Sequence, residues 1–257
     1  MKLRELDRPP IIVGGCGRSG TTLLLSILGS YPGILAIPNE TRIFCPTAYE
    51  DSPDFNAPID VSRIEDALRR LPVKPTATRW CEKTPKNIYF FDQLIESFEG
   101  RVRLLNIVRD GRDVITSRHP KDLTRFHVSP DRWIQEVAIS RRLSQNKHVL
   151  TVRYEDLILN FSATTKQISE FLEEEYCPDV ARWHKDTTVQ WQGSWAGGTV
   201  RPIFDTSIGR WKEEQGCVPL QQLMSNEDAV SHLRYFRYLD IPSNELRYEL
   251  LWSRLLS

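Results

Sequence analysis

The stretch IIVGGCGRSGTTLLLSILGS, residues 11–30, decides the fold. Ile11-Ile12-Val13 is a short β-branched run that meets Gly14, Gly15 and Gly17, and Thr21 to Ser30 supplies good helix formers, stopped by Gly29 and Pro32. A β-branched run ending in glycines reads as a buried strand entering a tight turn, and the segment after it has helical length. Strand, glycine-rich turn and helix in that order aim several backbone N–H groups and the positive end of the helix dipole at one point, which suits a phosphate. The spacing of Gly15, Gly20 and Thr22 matches a P-loop, except that Thr21 stands where the usual lysine would. Without that lysine the clamp on the β- and γ-phosphates of ATP is missing, and Arg18 inside the loop can supply the charge instead. Ser19, Gly20, Thr21 and Thr22 complete the expected cradle. A turn that merely closes a strand–helix unit is the plainer alternative.

Outward from this unit, a second strand is expected at Ile34 to Ile37. Residues 43–78 then change texture: Pro46, Pro53, Pro58, Pro72 and Pro75 surround one helical stretch near Val61 to Leu71, which reads as an irregular insertion lying over a site. Strands follow near Arg79 to Cys81, at Val102 to Val108 and at Val149 to Val152. Between and after them, helices fit Pro85 to Phe98, a start at Asp110, Pro130 to Gln145 and a segment ending near Glu174. Residues 190–206, rich in Gly, Trp and Ser, read as a long loop, and helices near 228–238 and 244–255 close the chain. This alternation predicts an α/β protein with a P-loop-type three-layer fold, a central mainly parallel sheet flanked by helices, as one domain over 1–257.

Composition bounds the partners. The 257 residues are 40% hydrophobic and 26% charged, a globular balance that excludes disorder. Lys plus Arg (34) equals Asp plus Glu (34), which argues against a protein that coats nucleic acid or anionic membrane by bulk charge. No run reaches the roughly 18 apolar residues of a spanning helix, and MKLRELDRPP lacks the apolar core of a secretory signal. Cys16, Cys45, Cys81, Cys177 and Cys217 form no CxxC pair, so reduced thiols and a cytoplasmic location are expected, with no metal site. Oligomeric state leaves no trace in the sequence.

A second constellation, Ile107-Val108-Arg109-Asp110-Gly111-Arg112-Asp113-Val114, runs on to Ser117. Arg109 leaves the C-terminal end of a predicted central strand, where open α/β sheets bind ligands. An arginine and a hydroxyl arriving together can hold a second phosphate by charge-assisted hydrogen bonds. An isolated RDGRD is also compatible with a solvated charged turn, but two phosphate sites on one sheet edge weaken that reading.

These residues resemble a known family, the sulfotransferases that use 3'-phosphoadenosine 5'-phosphosulfate (PAPS). GRSGTT at 17–22 is similar to their 5'-phosphosulfate loop and RDGRDVITS at 109–117 to their 3'-phosphate motif. Val152-Arg153-Tyr154-Glu155-Asp156-Leu157 and Ile208-Gly209-Arg210-Trp211-Lys212 are weaker echoes, which extend the likeness over most of 11–215. Asn39-Glu40-Thr41-Arg42 and Glu82-Lys83-Thr84-Pro85 resemble segments of the tyrosylprotein sulfotransferases and related bacterial enzymes. The resemblance implies Glu40 as general base, Lys83 at the bridging oxygen of PAPS and Arg18 at the same phosphosulfate. It implies Arg18, Ser19, Gly20, Thr21, Thr22, Arg109, Ser117, Tyr154 and Arg210 as the PAPS contacts. Tyr154 has two readings, an adenine contact or a core residue, and so has Arg210 with Trp211 beside it. Trp183, Trp191 and Trp195 are better read as core than as pocket lining.

The chemistry fits those residue types. Sulfuryl transfer needs an acceptor oxygen relieved of its proton, which a carboxylate can do for on the order of 100- to 10,000-fold. It also needs stabilisation of the leaving phosphate, for which a lysine, an arginine and helix N–H groups serve. No triphosphate has to be neutralised, so no metal is required. The expected reaction moves the sulfuryl group of PAPS to an alcohol, phenol, sugar or tyrosine hydroxyl and releases 3',5'-ADP. The acceptor is open; Arg42 near Glu40 can attract an acidic peptide or an anionic sugar. A P-loop kinase or NTPase using ATP, or a catalytically silent nucleotide-binding protein, are the alternatives.

Overall fold

β1 (Ile11–Gly15) lies at the centre of a five-stranded sheet because every one of its side chains is apolar or absent, and all five residues are buried. The computed structural model describes residues 6–119, 122–176, 178–189 and 205–240. The expected helix at 244–255, most of the loop at 190–206 with Trp191 and Trp195, and Cys177 lie outside them. After β1 come α1 (Thr21–Gly29), β2 (Ile34–Ala36), α2 (Ile64–Arg69), β3 (Arg79–Lys83), α3 (Phe91–Ser97) and β4 (Arg103–Val108). Then follow α4 (Gly111–Ile115), β5 (Arg118–His119), β6 (Asp122–Phe126), α5 (Pro130–Arg142) and β7 (Val149–Arg153). The described chain closes with α6 (Tyr154–Leu159), α7 (Phe161–Leu172), α8 (Trp183–Asp186), α9 (Val218–Ser225) and α10 (Glu227–Tyr235).

The large sheet has the order β2-β3-β1-β4-β7, and all of its strand pairs are parallel. Parallel sheets are covered on both faces, so their strands read as continuous apolar runs. The two-residue period of a strand then sorts side chains by face. Ile11, Val13, Leu105 and Ile107 meet Leu24, Leu25 and Leu28 of α1 and Ile168 and Leu172 of α7. Ile12 and Leu104 meet Phe44, Trp80, Ile88, Phe90 and Phe91 on the other face. The 43–78 segment joins that second core through Phe44, Cys45, Ala48, Ile64, Leu68 and Ala77, so it is packed down by apolar burial despite its prolines.

Three expectations need correction. The helix expected to start at Asp110 is short, Gly111–Ile115, and an antiparallel pair of strands that was not expected, β5 with β6, follows it. Residues of β6 are half-buried or exposed, so no apolar alternation marked them as strand. The helix expected over 85–98 opens as a 3₁₀ turn, Pro85–Phe90, and becomes α-helical only at Phe91. Helix α5 stops at Arg142, short of 145.

Candidate active site

The chain reverses direction across the sheet at β1: β3 and β2 lie to one side, β4 and β7 to the other. Ligands of open α/β sheets bind at such a switch, beyond the carboxyl ends of the strands. Sequence-derived positions lie at or just past the ends of all five strands. The loop 16–20 follows β1, Lys83 is the last residue of β3, Arg109 follows β4, Tyr154 follows β7, and Glu40 lies four residues past the end of β2.

The loop itself is shaped by backbone geometry. Gly15 has φ +136° and packs against the Ile107 carbonyl, so a Cβ there has no room. Arg18 (φ 69°) and Gly20 (φ 97°) also take the left-handed side, and the Ser19 N–H donates to the Cys16 carbonyl at 3.1 Å. No side chain caps α1, so its first N–H groups point into the crevice. An uncapped N-terminus carries about half a positive charge and suits an anion. The Ser19 hydroxyl is fully buried with no hydrogen-bond partner among the described residues. Such an orphan is what a cradle would leave for phosphate oxygens.

Lys83 joins three elements. Its Nζ donates to Glu40 Oε1 at 2.7 Å and to Thr22 Oγ1 at 3.2 Å. Lys83 is only 3% exposed, whereas the Glu40 carboxylate is about one-third exposed. Hence a buried ammonium sits at the N-terminus of α1 beside a carboxylate open to an incoming molecule. Arg42 (φ 57°) lies over the Tyr49 ring at 4.2 Å, and Lys86 approaches the same ring at 4.6 Å.

The other end of the crevice is cationic. Arg109 donates Nη1 to the Arg18 carbonyl at 3.0 Å and Nη2 to the Ser207 carbonyl, and its Nε is buried without a hydrogen-bond partner among the described residues. Its guanidinium lies 4.6 Å from the Tyr154 ring centre, and the Tyr154 hydroxyl bonds Ser207 Oγ at 2.6 Å. Tyr154 is therefore both a buried residue and a wall of the site, and Gly20 packs against its ring so closely that a Cβ would stand 2.6 Å from Cδ2. Burial, and then the charges of Arg109 and Arg210, lower the Arg18 pKa. Ser117 is half-buried and its hydroxyl donates to the Asp113 carbonyl at 2.7 Å.

Residues 59–178 match the family model described as the sulfotransferase family. The chain is 27% identical over 253 residues to protein-tyrosine sulfotransferase A of Caenorhabditis elegans, covering 87% of this chain and 65% of the relative. It thus spans less than two-thirds of that relative's length. Among solved structures, a sulfotransferase domain from the curacin biosynthetic pathway superposes with a TM-score of 0.60 at 17% identity, covering 92% of this chain and all of that one. A mouse sulfotransferase, SULT7A1, solved with PAP, superposes at 0.57 with 17% identity, covering 90% of this chain and 89% of the other. Residues 59–178 are similar to the sulfotransferases.

Two residues that sequence reasoning passed over hold this sulfotransferase-like site together. Glu82, fully buried, accepts the Thr41 N–H at 3.2 Å, the Thr41 hydroxyl at 2.9 Å, the Thr84 hydroxyl at 2.7 Å and the Asn87 amide at 2.7 Å. The two hydroxyls in turn accept from the Ile43 and Arg42 N–H groups. Three successive N–H groups of the turn behind Glu40 thus converge on one carboxylate. Burial raises the Glu82 pKa while its donors oppose the rise. Asp113, 2% exposed, accepts from the Gly209 and Trp211 N–H groups at 2.8 and 3.0 Å and so fixes the turn that carries Arg210. Arg112 then covers the Trp211 ring at 4.3 Å. A carboxylate in a Glu-Lys-Thr or Arg-Asp run carries no mark of such a role; only its burial reveals it. Among the described residues no helix is long and apolar enough to cross a membrane, and no three His, Cys, Asp or Glu side chains group as metal ligands.

Proposed function

We propose that this chain transfers the sulfuryl group of PAPS to a hydroxyl acceptor by in-line displacement, releasing 3',5'-ADP. The contact of Lys83 with both Glu40 and Thr22 carries this reading. It puts a base and an electrophilic cation side by side at the anion-binding end of α1. Glu40 takes the proton from the acceptor oxygen as that oxygen bonds to sulfur. The bond from sulfur to the bridging oxygen breaks, and Lys83 swings from Glu40 to the charge growing on that oxygen. The N–H groups of Gly20 to Thr22, with the Ser19 hydroxyl and Arg18, hold the 5'-phosphate; Arg109, Ser117 and Arg210 hold the 3'-phosphate; Tyr154 lies beside the adenine. A preorganised cation at a developing charge is worth several kcal/mol in a water-poor site, on the order of 100- to 1,000-fold per donor removed. Arg42 and Lys86 put positive charge beside Glu40, favouring an acceptor that carries negative charge near its hydroxyl, and Arg42 is the acceptor-binding residue.

The kinase alternative lacks a loop lysine, since Thr21 is in its place and Lys83 comes instead from the neighbouring strand. Thermal unfolding tests the choice. A ligand at a hundred times its dissociation constant stabilises by about 2.7 kcal/mol, and each kcal/mol moves the midpoint of a chain this size by roughly 2–4 °C. The expected result is a shift of about 5–10 °C with 3',5'-ADP and little with ATP and magnesium. The reverse pattern removes the PAPS reading. Glu40→Gln and Lys83→Ala are expected to keep the 3',5'-ADP shift and lose sulfuryl transfer.

A further inference from the structure

Helix α5 brings to this crevice a guanidinium that none of the assignments above uses. Arg132 lies in the first turn of α5, where its backbone N–H is capped by the Ser129 hydroxyl. Its Nε donates to Glu136 Oε1 one helical turn on, at 2.9 Å. Glu136 is fully buried, so it cannot follow the arginine outward, and the plane of the guanidinium is thereby set. The fork points at the phosphate loop: Nη2 stands 3.2 Å from the place a Cβ would take on Gly17. Neither terminal nitrogen has a hydrogen-bond partner among the described residues, and the side chain is 26% exposed. A planar donor fork held by a buried carboxylate, with both outer nitrogens unspent, is the arrangement that grips a tetrahedral anion.

Its surroundings place it at the acceptor end. Its charge acts on Tyr49, whose ring Arg42 and Lys86 approach at 4.2 and 4.6 Å, on Lys86 itself and on His127. Gly17 lacks a side chain, and that absence is what lets the fork reach the loop.

We propose that Arg132 donates its two terminal N–H groups to the non-bridging oxygens of the sulfuryl group itself. During transfer those oxygens pass with sulfur from the phosphate to the acceptor. Arg132 neither gains nor loses a proton, and Glu40 receives the acceptor proton. The inference rests on the PAPS reading of the site. It makes Arg132 a residue that senses the one group by which PAPS differs from 3',5'-ADP.

The test is calorimetric titration of the intact chain with PAPS and, separately, with 3',5'-ADP, for the wild type, Arg132→Lys and the paired variant Arg132→Gln/Glu136→Gln. The pair avoids leaving the buried Glu136 without its cation. For both variants the 3',5'-ADP dissociation constant is expected to stay within about twofold. The ratio of the PAPS constant to the 3',5'-ADP constant is expected to rise about tenfold, the scale of a lost hydrogen bond to a charged group. An unchanged ratio, with both nucleotides still bound, overturns the assignment of Arg132 and leaves the PAPS reading intact. Equal weakening of both nucleotides also overturns it, since a loop-holding role predicts that. Failure of the wild type to bind either nucleotide removes the PAPS reading, and Arg132 with it.

Discussion

Glu82→Gln is the most informative single change, because it exchanges one carboxylate oxygen for an NH2 group and leaves the volume nearly alone. In the wild type, Oε1 accepts from the Thr41 N–H and from the Thr41 and Thr84 hydroxyls, and Oε2 accepts from Asn87 Nδ2. A glutamine keeps its oxygen where three donors converge, so its NH2 faces the Asn87 NH2. Rotating Asn87 to offer its Oδ1 relieves that clash but breaks the bond from Nδ2 to the Val13 carbonyl at 3.2 Å. Either way one buried donor is left unmade, costing about 1–3 kcal/mol, and the other three bonds lose their charge assistance. Working against this, glutamine spares the burial of a charge, the cause that raises the Glu82 pKa. Four donors on one carboxylate outweigh that saving, and the net expected loss is about 2–3 kcal/mol. Urea denaturation and the thermal midpoint should both report it, the latter as a fall of roughly 4–12 °C. The turn carrying Glu40 loosens at the same time, so sulfuryl transfer is expected to drop at least about tenfold, 1.4 kcal/mol of barrier, while 3',5'-ADP still binds. A Glu82→Gln protein as stable and as active as the wild type would refute the reasoning, showing that the carboxylate is not the anchor of that turn.

Gly20→Ala forces a residue at φ 97° and sets a Cβ 2.6 Å from the Tyr154 ring; a lower midpoint and loss of the 3',5'-ADP shift are expected in the same thermal assay. Asp113→Asn turns an amide NH2 toward one of the Gly209 and Trp211 N–H groups, and chemical denaturation should show a loss of about 1–3 kcal/mol. His127 has its pKa lowered to about 4 by burial and by Arg132, Arg18, His119 and Arg125. The folded chain therefore binds fewer protons there than the unfolded chain, and stability present above the ordinary value of 6.5 is lost as pH falls toward 4. A His127→Gln variant should show a shallower decline of melting midpoint over that interval, and an identical decline would remove His127 as a contributor.

Much of this architecture was legible because its signals are local. β-branched residues before glycines, and leucines after threonines, report strand, turn and helix within one short window, and 11–30 behaves accordingly. Arg109 at the end of a predicted strand lies at the sheet's carboxyl edge for the same reason. The hairpin 118–126 escaped notice because its strands bury no face, leaving no periodicity to read. Ser117 illustrates a finer failure: helix α4 ends before it, yet its hydroxyl still bonds back to Asp113 as a helical residue would.

What the sequence by itself determined is the parallel α/β sheet, the glycine-rich loop and the identity of the charged residues near it, since period, turn chemistry and motif spacing depend on neighbours along the chain. Only the tertiary structure decided which of those charges act together. Glu40 meets Lys83 because β2 and β3 run parallel in register, Ala36 beside Cys81, and carry both residues past the same edge. Glu82, Asp113 and Arg132 look like ordinary surface charges in the sequence. Their parts are set by burial, which removes competing water and obliges each buried oxygen or nitrogen to find a partner; no property of the neighbouring residues announces it.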